Sequence, residues 1–367
     1  MPDWLYHCYD RATGDLIDSL PFEGVTFGQK LNAAGEFKGK VPVGRDGVTA
    51  RRIRDATMPL RTMLCVQRDN ALVWGGIVTA PRDRKLGDGT ADITATELVG
   101  LADGWFMPTL TLKADQVQVA RTLVEGRDPW LLLPEYPGDS GTLVQKKWSV
   151  WDYTPVSQSL AELNEATGGI EFTQQTSWDF FQRPLLYFVV GTPKLGRRNG
   201  DSGLVLEYNA DVPEVSNVIG GTLTEGKGMA TRTWATSETD EGVGLAAKAE
   251  RLDLLAMGYP MIERHEAVEN AATTAQLQRH ADALQQASSA PTLTVQLTVA
   301  AGKGFELGDF SAGDDVRVRV TDPWWPAHQD GTPGLDTWMR LVEYEVTPDQ
   351  GGLERYVVTM ADMTGWW

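Results

Sequence analysis

The sequence predicts a mainly β protein with α+β insertions. Short segments of alternating apolar and polar residues, bounded by turn residues, occupy both ends of the chain. A period of two is typical of strands that bury one face. Helical periodicity is confined to a few separate segments. The length of 367 residues is enough for about two or three domains with ordinary hydrophobic cores.

The first hundred residues predict about seven strands and one helix. The strands are expected at 5–9, 15–20, 25–31, 37–43, 61–67, 72–79 and 91–96. The turn residues Ala12-Thr13-Gly14 separate the first two strands and indicate a hairpin. The helix over 48–56 ends before Pro59. This many short strands suggests a small barrel or sandwich.

The middle of the chain has a different composition. Residues 115–125 and 157–167 have the apolar spacing of helices. Residues 127–150 are rich in Pro, Gly and Trp and predict a long ordered loop, and 192–203 predict a second, polar loop. The remaining elements expected here are short strands at 170–172 and 185–190.

The last third returns to strands and contains the longest predicted helix, 270–287. Leu277, Ala281 and Leu284 form the apolar stripe of this helix. Strands are expected at 204–208, 215–220, 232–235, 292–300, 315–320, 338–346 and 356–360. Three strands between 61 and 96 and three between 316 and 360 follow one another with similar spacing, which fits a duplicated β-domain with other material inserted between the copies.

The charge balance disfavours nucleic acids and anionic membranes as partners of the whole surface. The chain has 33 basic and 50 acidic residues, a formal charge of −17, and a protein that binds phosphates needs a positive face. No apolar run approaches the roughly 18 residues of a membrane span, so none is expected, nor is a signal peptide. Cys8 and Cys65 are too few for a disulfide framework or a zinc site, and we expect two buried thiols.

Three motifs resemble catalytic or ligand-binding segments but lack what the chemistry needs. Residues 138–141 and 200–203 read Gly-Asp-Ser-Gly, like the nucleophile segment of chymotrypsin-like proteases. Only six residues precede His7, too few for the strands that would hold a catalytic histidine. Residues 221–228 nearly match a phosphate-binding loop, but Gly228 replaces the magnesium-binding hydroxyl residue. We expect no catalytic residue, no cofactor and no metal.

One basic cluster lies on or beside the first helix and contains Arg45, Arg51, Arg52 and Arg54. The opposing total charge disfavours a nucleic-acid site there. Arginine is enriched at protein interfaces because its planar guanidinium pairs with carboxylates. We therefore expect an acidic neighbouring subunit, with Arg51, Arg52 and Arg54 as candidate interface residues.

Several segments together resemble the tail hub, or baseplate hub, proteins among the minor tail proteins of actinobacterial siphophages. They are 27–43, 73–78, 93–98, the helix from 270, 292–298, 305–310 and 313–318. The resemblance lies in the order, spacing and types of these strands and turns, and it covers most of the chain. It implies two tail-tube-like β-barrel or sandwich domains, with smaller domains between them. The implied segments are 1–105 (first tube-like domain), 106–203 (α+β insertion) and 204–367 (second tube-like domain, with a helical insertion around 246–289).

The resemblance implies a structural virion protein and no enzyme. A homotrimer would present six tube-like domains, join a hexameric tail tube to the tail tip, and form part of the channel through which the genome passes without specific binding. The implied neighbours are the distal tail protein or tail tube above and tip or fibre proteins below, and the resemblance also allows contact with a tape measure protein. Such a protein is assembled in the host cytoplasm and belongs to the tail tip of the virion.

The aromatic pair Trp366 and Trp367 ends the sequence. It is interpreted either as a plug that closes the fold or as an anchor for the next tail protein, so both residues join the candidate interface. The alternatives to a hub are another baseplate component, either a distal tail protein or a receptor-binding or carbohydrate-binding tail protein, and a cell-wall hydrolase. A hydrolase needs a convergent set of acids or a metal site, and the sequence indicates neither.

Overall fold

The computed structural model describes residues 2–44, 47–79, 87, 89–165, 169–198, 201–238, 244–268, 274–288, 292–302, 304–348 and 354–362. The chain is mainly β, as predicted, with large antiparallel sheets and a smaller share of helix. In the part of the chain so described, no helix combines the length and apolar character that a membrane span requires.

The strands and helices follow one another along the chain with these bounds. The strands are β1 (Trp4–Asp10), β2 (Leu16–Ser19), β3 (Glu23–Lys30), β4 (Glu36–Pro42), β5 (Thr62–Arg68), β6 (Ala71–Val78), β7 (Thr90–Thr96), β8 (Leu110–Asp115), β9 (Leu131–Leu132), β10 (Leu143–Trp148), β11 (Phe172–Trp178), β12 (Pro184–Val190), β13 (Val205–Asn209), β14 (Val218–Lys227), β15 (Arg232–Glu238), β16 (Gly244–Glu250), β17 (Glu263–Ala267), β18 (Thr292–Ala300), β19 (Asp315–Thr321), β20 (Leu335–Thr347) and β21 (Arg355–Asp362). The helices are α1 (Gly47–Ala56), α2 (Gln116–Val124), α3 (Val156–Glu165), α4 (Leu252–Ala256) and α5 (Thr274–Ala287).

The chain forms two compact units. Unit 1 contains Met1–Gly220, Leu297–Thr337 and Leu341–Val358, and unit 2 contains Gly221–Gln296, Trp338–Arg340 and Thr359–Trp367. The sequence predicts three segments, 1–105, 106–203 and 204–367. This division is finer than the two compact units, and it stays a prediction.

Unit 1 contains a large sheet with the strand order β21-β20-β3-β4-β7-β6-β5-β1-β2, and β19 and β13 branch from β20. The two predicted N-terminal hairpins, β1–β2 and β3–β4, are both antiparallel pairs. The two strand trios with similar spacing are each three neighbouring strands, β5-β6-β7 and β19-β20-β21. The antiparallel β3–β20 pair joins the N-terminal strands to the C-terminal strands.

A cluster of aromatic rings fills the core beneath β3 and β4. Phe27 and Phe37 are buried, and Trp74 packs against Phe37 with ring centroids 5.8 Å apart. The Trp74 indole Nε1 donates to the carbonyl of Gly28 at 3.0 Å. Position 28 has to be glycine, because a Cβ there would lie 2.1 Å from the Tyr344 carbonyl oxygen on β20.

Helices α2 and α3 pack with the β11–β12 hairpin in one hydrophobic cluster. The facing rings of Phe172 and Phe188 are 5.5 Å apart. Both helices were predicted. The prediction of a long loop over 127–150 is wrong in part, because this range contains the strands β9 and β10. Strand β10 pairs with β8, which was not predicted either. The alternation in β10 is obscured because Leu143 is exposed while Lys146 lies on the half-buried side beside Glu162.

Asp115 fastens the first Gly-Asp-Ser-Gly segment to the start of α2. Its Oδ1 accepts from Val117 N at 2.9 Å and Ser140 N at 3.1 Å, and its Oδ2 accepts from Gly141 N at 2.9 Å. The Ser140 hydroxyl donates to the same carboxylate. Burial alone would raise the pKa of Asp115, but these hydrogen bonds outweigh it and hold the pKa below its ordinary value. The segment is thus a turn that donates hydrogen bonds to Asp115, the residue that caps α2. This structural role accounts for its sequence.

Glu97 is a buried carboxyl group at the end of β7. Its Oε2 accepts a hydrogen bond from Gly35 N at 2.7 Å, and the side chain lies within the core. Burial is the largest influence and raises the pKa of Glu97 to about 8, against smaller lowering effects from the Gly35 amide and Lys30. The carboxyl group is therefore largely protonated near neutral pH.

Unit 2 contains the three-stranded sheet β16-β15-β17, in which β17 runs parallel to β15. Helix α5 covers one face of this sheet, and its predicted apolar stripe is confirmed. Leu277 and Ala281 are fully buried against Ala235 and Ala247. The first four residues of the predicted helix, 270–273, lie outside the described residues.

We expect Asp115→Asn to lower the free energy of unfolding by roughly 1–2 kcal/mol, because an amide in place of the buried carboxylate removes one acceptor from the partly buried donors of the 138–141 turn. Urea denaturation at pH 7 measures this. Asp139→Asn, an exposed change in the same turn, is the matched control and should stay within about 0.5 kcal/mol of wild type. Equal midpoints for the two variants would contradict the assigned role of Asp115.

We expect Glu97 to make the protein less stable as the pH rises through the interval from about 4.5 to about 8. The folded pKa lies above that of an unfolded glutamate, so the folded state holds more protons there and loses stability as they leave. Relative to Glu97→Gln, the wild-type free energy of unfolding should fall by roughly 3 kcal/mol between pH 5 and pH 8. Parallel denaturation curves of the two proteins across that range would disprove it.

Candidate functional site

The residues of the catalytic-looking motifs take part in structural hydrogen bonds. Ser202 of the second Gly-Asp-Ser-Gly segment donates from Oγ to the carbonyl of Asp315 at 2.6 Å. The ring nitrogens of His7 contact Ser19 Oγ at 2.8 Å and Gln67 Oε1 at 3.1 Å. Most of the segment that resembles a phosphate-binding loop is extended and belongs to β14, whereas such a loop curls its amides at a helix N-terminus.

The two cysteines are buried in adjacent strands, as predicted, and both are free thiols. Burial raises the pKa of Cys8 to about 12, with a smaller contribution from Asp18, and burial also raises the pKa of Cys65. Neither thiol ionises readily at neutral pH. Across the described ranges, no three His, Cys, Asp or Glu side chains group closely enough to hold a metal ion.

The structure places the arginine cluster on the exposed side of α1. Arg51, Arg52 and Arg54 are exposed, while the other side of the helix is buried. The charge of Arg52 is used within the chain, because its guanidinium forms a bidentate ion pair with the buried carboxylate of Asp18 on β2. This bond raises the pKa of Arg52. Arg45 lies outside the described residues, as do the other two candidate interface residues, Trp366 and Trp367.

Strands β20, β3, β4 and β7 present one charged face to solvent, named here the polar sheet face. Its charged residues are Glu23, Lys30, Glu36, Lys38, Lys40, Asp92, Glu343 and Glu345. The ion pairs on it are Lys30–Glu343 at 3.3 Å, Lys38–Glu36 at 2.9 Å and Lys40–Asp92 at 3.9 Å. All three lysines are thus paired, and carboxylates outnumber them by two. None of the lysines of this face is therefore left unpaired to bind a phosphate group.

Unit 1 also exposes a group of aromatic side chains, named here the aromatic knob: Phe106, Trp151 and Tyr153. They are 50%, 79% and 65% exposed, and the rings of Phe106 and Tyr153 are 6.3 Å apart. The sequence prediction did not single them out. The sequence does hold a signal for them: all three aromatic residues lie outside the predicted helices and strands. Packing in a predicted core therefore does not explain why they are aromatic.

No protein-family model matches this sequence, and no curated protein does. Solved structures match over nearly the whole chain. The tail protein from Neisseria meningitidis MC58 is 14% identical, with a TM-score of 0.60 and 98% of each chain covered.

Two prophage proteins match almost as well. The 43 kDa tail protein of prophage MuSo2 from Shewanella oneidensis is 13% identical, with a TM-score of 0.58, covering 97% of this chain and 98% of that one. The prophage tail protein gp18 from Listeria monocytogenes EGD-e is also 13% identical, with a TM-score of 0.54, covering 98% of this chain and 95% of that one. At these identities the likeness concerns the fold: over almost its entire length, this chain has the fold of phage and prophage tail proteins.

Proposed function

We propose that this protein is a structural component of a phage tail, and specifically the hub at the tail tip. It joins a hexameric tail tube to the tip and contributes to the channel through which the genome leaves. The observation that carries this proposal is the nearly full-length fold match to tail proteins. All three of these neighbours are tail proteins.

The sheet of unit 1 supports a hub with two tube-like parts in each chain. Trios β5-β6-β7 and β19-β20-β21 have the same neighbour order, and the β3–β20 pair joins the N-terminal and C-terminal strands edge to edge. In a homotrimer, two such parts per chain present six to the tail tube, which matches threefold to sixfold symmetry. The proposed segments are 1–105, 106–203 and 204–367, with the helical insertion in the last.

We assign the polar sheet face to the channel wall. DNA binding requires cations that replace the counterions of the phosphates, and the lysines of this face are already paired with carboxylates. With two carboxylates in excess, the face repels the phosphates of DNA weakly. A genome can therefore slide past it, which agrees with the net charge of −17.

The proposed partners follow from this location in the virion. The distal tail protein or tail tube lies above the hub, and tip or fibre proteins lie below it, with contact to a tape measure protein. Arg51 and Arg54 on α1, together with Trp366 and Trp367, are proposed to contribute to subunit contacts. Arg52 contributes indirectly, because its bond to Asp18 fixes α1 against β2.

The oligomeric mass of the purified protein is the first test. We expect light scattering to give about three times 40.3 kDa, and electron microscopy to show rings with a central channel. A stable monomer at high concentration, also when mixed with the neighbouring tail proteins, would contradict the hub and favour another baseplate role, such as a receptor-binding protein.

The position of the polar sheet face has a test of its own. We expect maleimide nanogold attached to Lys38→Cys to appear in the central channel of imaged rings, because Lys38 lies in the middle of that face. The native thiols are buried and give little background labelling. Glu125→Cys, an exposed position beyond α2, is the control, and its gold should lie outside the channel. Gold at the periphery for both variants would exclude this face from the wall.

A further inference from the structure

The backbone that carries the aromatic knob is held by hydrogen bonds. Its two segments are joined from Met107 N to Thr154 O at 2.9 Å and from Val156 N to Trp105 O at 2.8 Å. Tyr153 occupies the left-handed region with φ 48°, which is uncommon for a residue with a side chain. A backbone that is already ordered loses less conformational entropy on binding than a free loop does, and exposed aromatic side chains are typical of interface hot spots.

Two unpaired lysines lie in the same part of the sequence as the knob. Six of the lysines whose side chains the structure describes form ion pairs: Lys30, Lys38, Lys40, Lys146, Lys194 and Lys248. Within that described set, Lys113 and Lys147 are the exceptions. Both are exposed on the β8–β10 ribbon, where Lys147 pairs with Thr111 and Lys113 with Gln145, so they lie diagonally on one face. Beside them Leu143 is 73% exposed.

A second exposed segment of unit 1 has the complementary chemistry. Residues 210–215 are all exposed and combine the carboxylates of Asp211 and Glu214 with the apolar side chains of Val212 and Val215. The turn is held in place, because Asn209 Oδ1 accepts from Asp211 N and from Val212 N, both at 3.0 Å. We name this segment the acidic turn.

We propose that the aromatic knob, with Lys113 and Lys147, docks onto the acidic turn of a second copy of this chain. The proposal rests on the ring assembly of the proposed function and deepens it by naming the contact. Two different patches on one chain form a heterologous interface, and such an interface closes a ring of three when each copy is rotated by one third of a turn from the last. Aromatic side chains carry binding energy at interface centres, while opposite charges orient the partners and suppress wrong ones.

Charge reversal tests the pairing directly. We expect Lys113→Glu/Lys147→Glu, and separately Asp211→Lys/Glu214→Lys, to weaken trimer formation at least 10-fold in sedimentation at physiological salt. The four changes together should restore it, since the charges are again opposite. Lys38→Glu/Lys40→Glu reverses the same charge on the polar sheet face and is the control, with unchanged assembly expected. Trp151→Ala should weaken the contact roughly 30-fold, with folding of every variant checked by circular dichroism.

A crosslink separates this proposal from the proposed function. Asp152 is exposed beside Trp151, so a cysteine there leaves the aromatic side chains in place. Equal amounts of Asp152→Cys and Val212→Cys protein, oxidised together, should yield an intermolecular disulfide that neither variant forms alone. A crosslink in a protein that forms no rings would uphold the contact and count against the hub. Rings that persist in Lys113→Glu/Lys147→Glu, or a mixture without the crosslink, would overturn the contact and leave the hub standing.

Discussion

The pairing of β3 with β20 is the constraint on which the rest of unit 1 depends. At Gly28 the two backbones approach so closely that no side chain fits, and the Trp74 indole binds the same residue from the core. The next residue, Gln29, contacts Gln174 O through its amide nitrogen and accepts from Ala312 N at 3.2 Å. One strand thereby fastens the N-terminal strands, the insertion and the C-terminal strands together, although their residues are far apart in sequence.

Most elements with a regular apolar pattern were predictable from the sequence. Strand β4 alternates cleanly between Phe37 in the core and Lys38 at the surface, and α5 has its stripe at helical spacing. Strand β10 was missed because its pattern is irregular. Its partner β8 alternates regularly but is short, and it was missed although the pattern was present. The roles of Asp115 and Glu97 depend on Ser140 and Gly35, which sequence proximity does not reveal.

The candidate surfaces, too, could be predicted from the sequence only in part. The arginine cluster was recognisable as a basic group on a helix, but its most strongly bound member, Arg52, binds Asp18 of the same chain. Most described lysines are likewise paired within the chain. Net charge therefore says little about which charges are available to partners. Lys113 and Lys147 stand out only when the internal ion pairs are known, because they are the lysines that the described part of the fold leaves unpaired.

The burial of Cys8 and Cys65 has a consequence for the proposed place of this protein in a virion. A virion passes from a reducing interior to an oxidising medium, and the thiolate is the form that oxidants attack. Because burial suppresses ionisation of both thiols, we expect neither to be oxidised in that transition. Cys8 and Cys65 are the two cysteines of the chain, so persistence outside the host rests on noncovalent contacts and not on a disulfide.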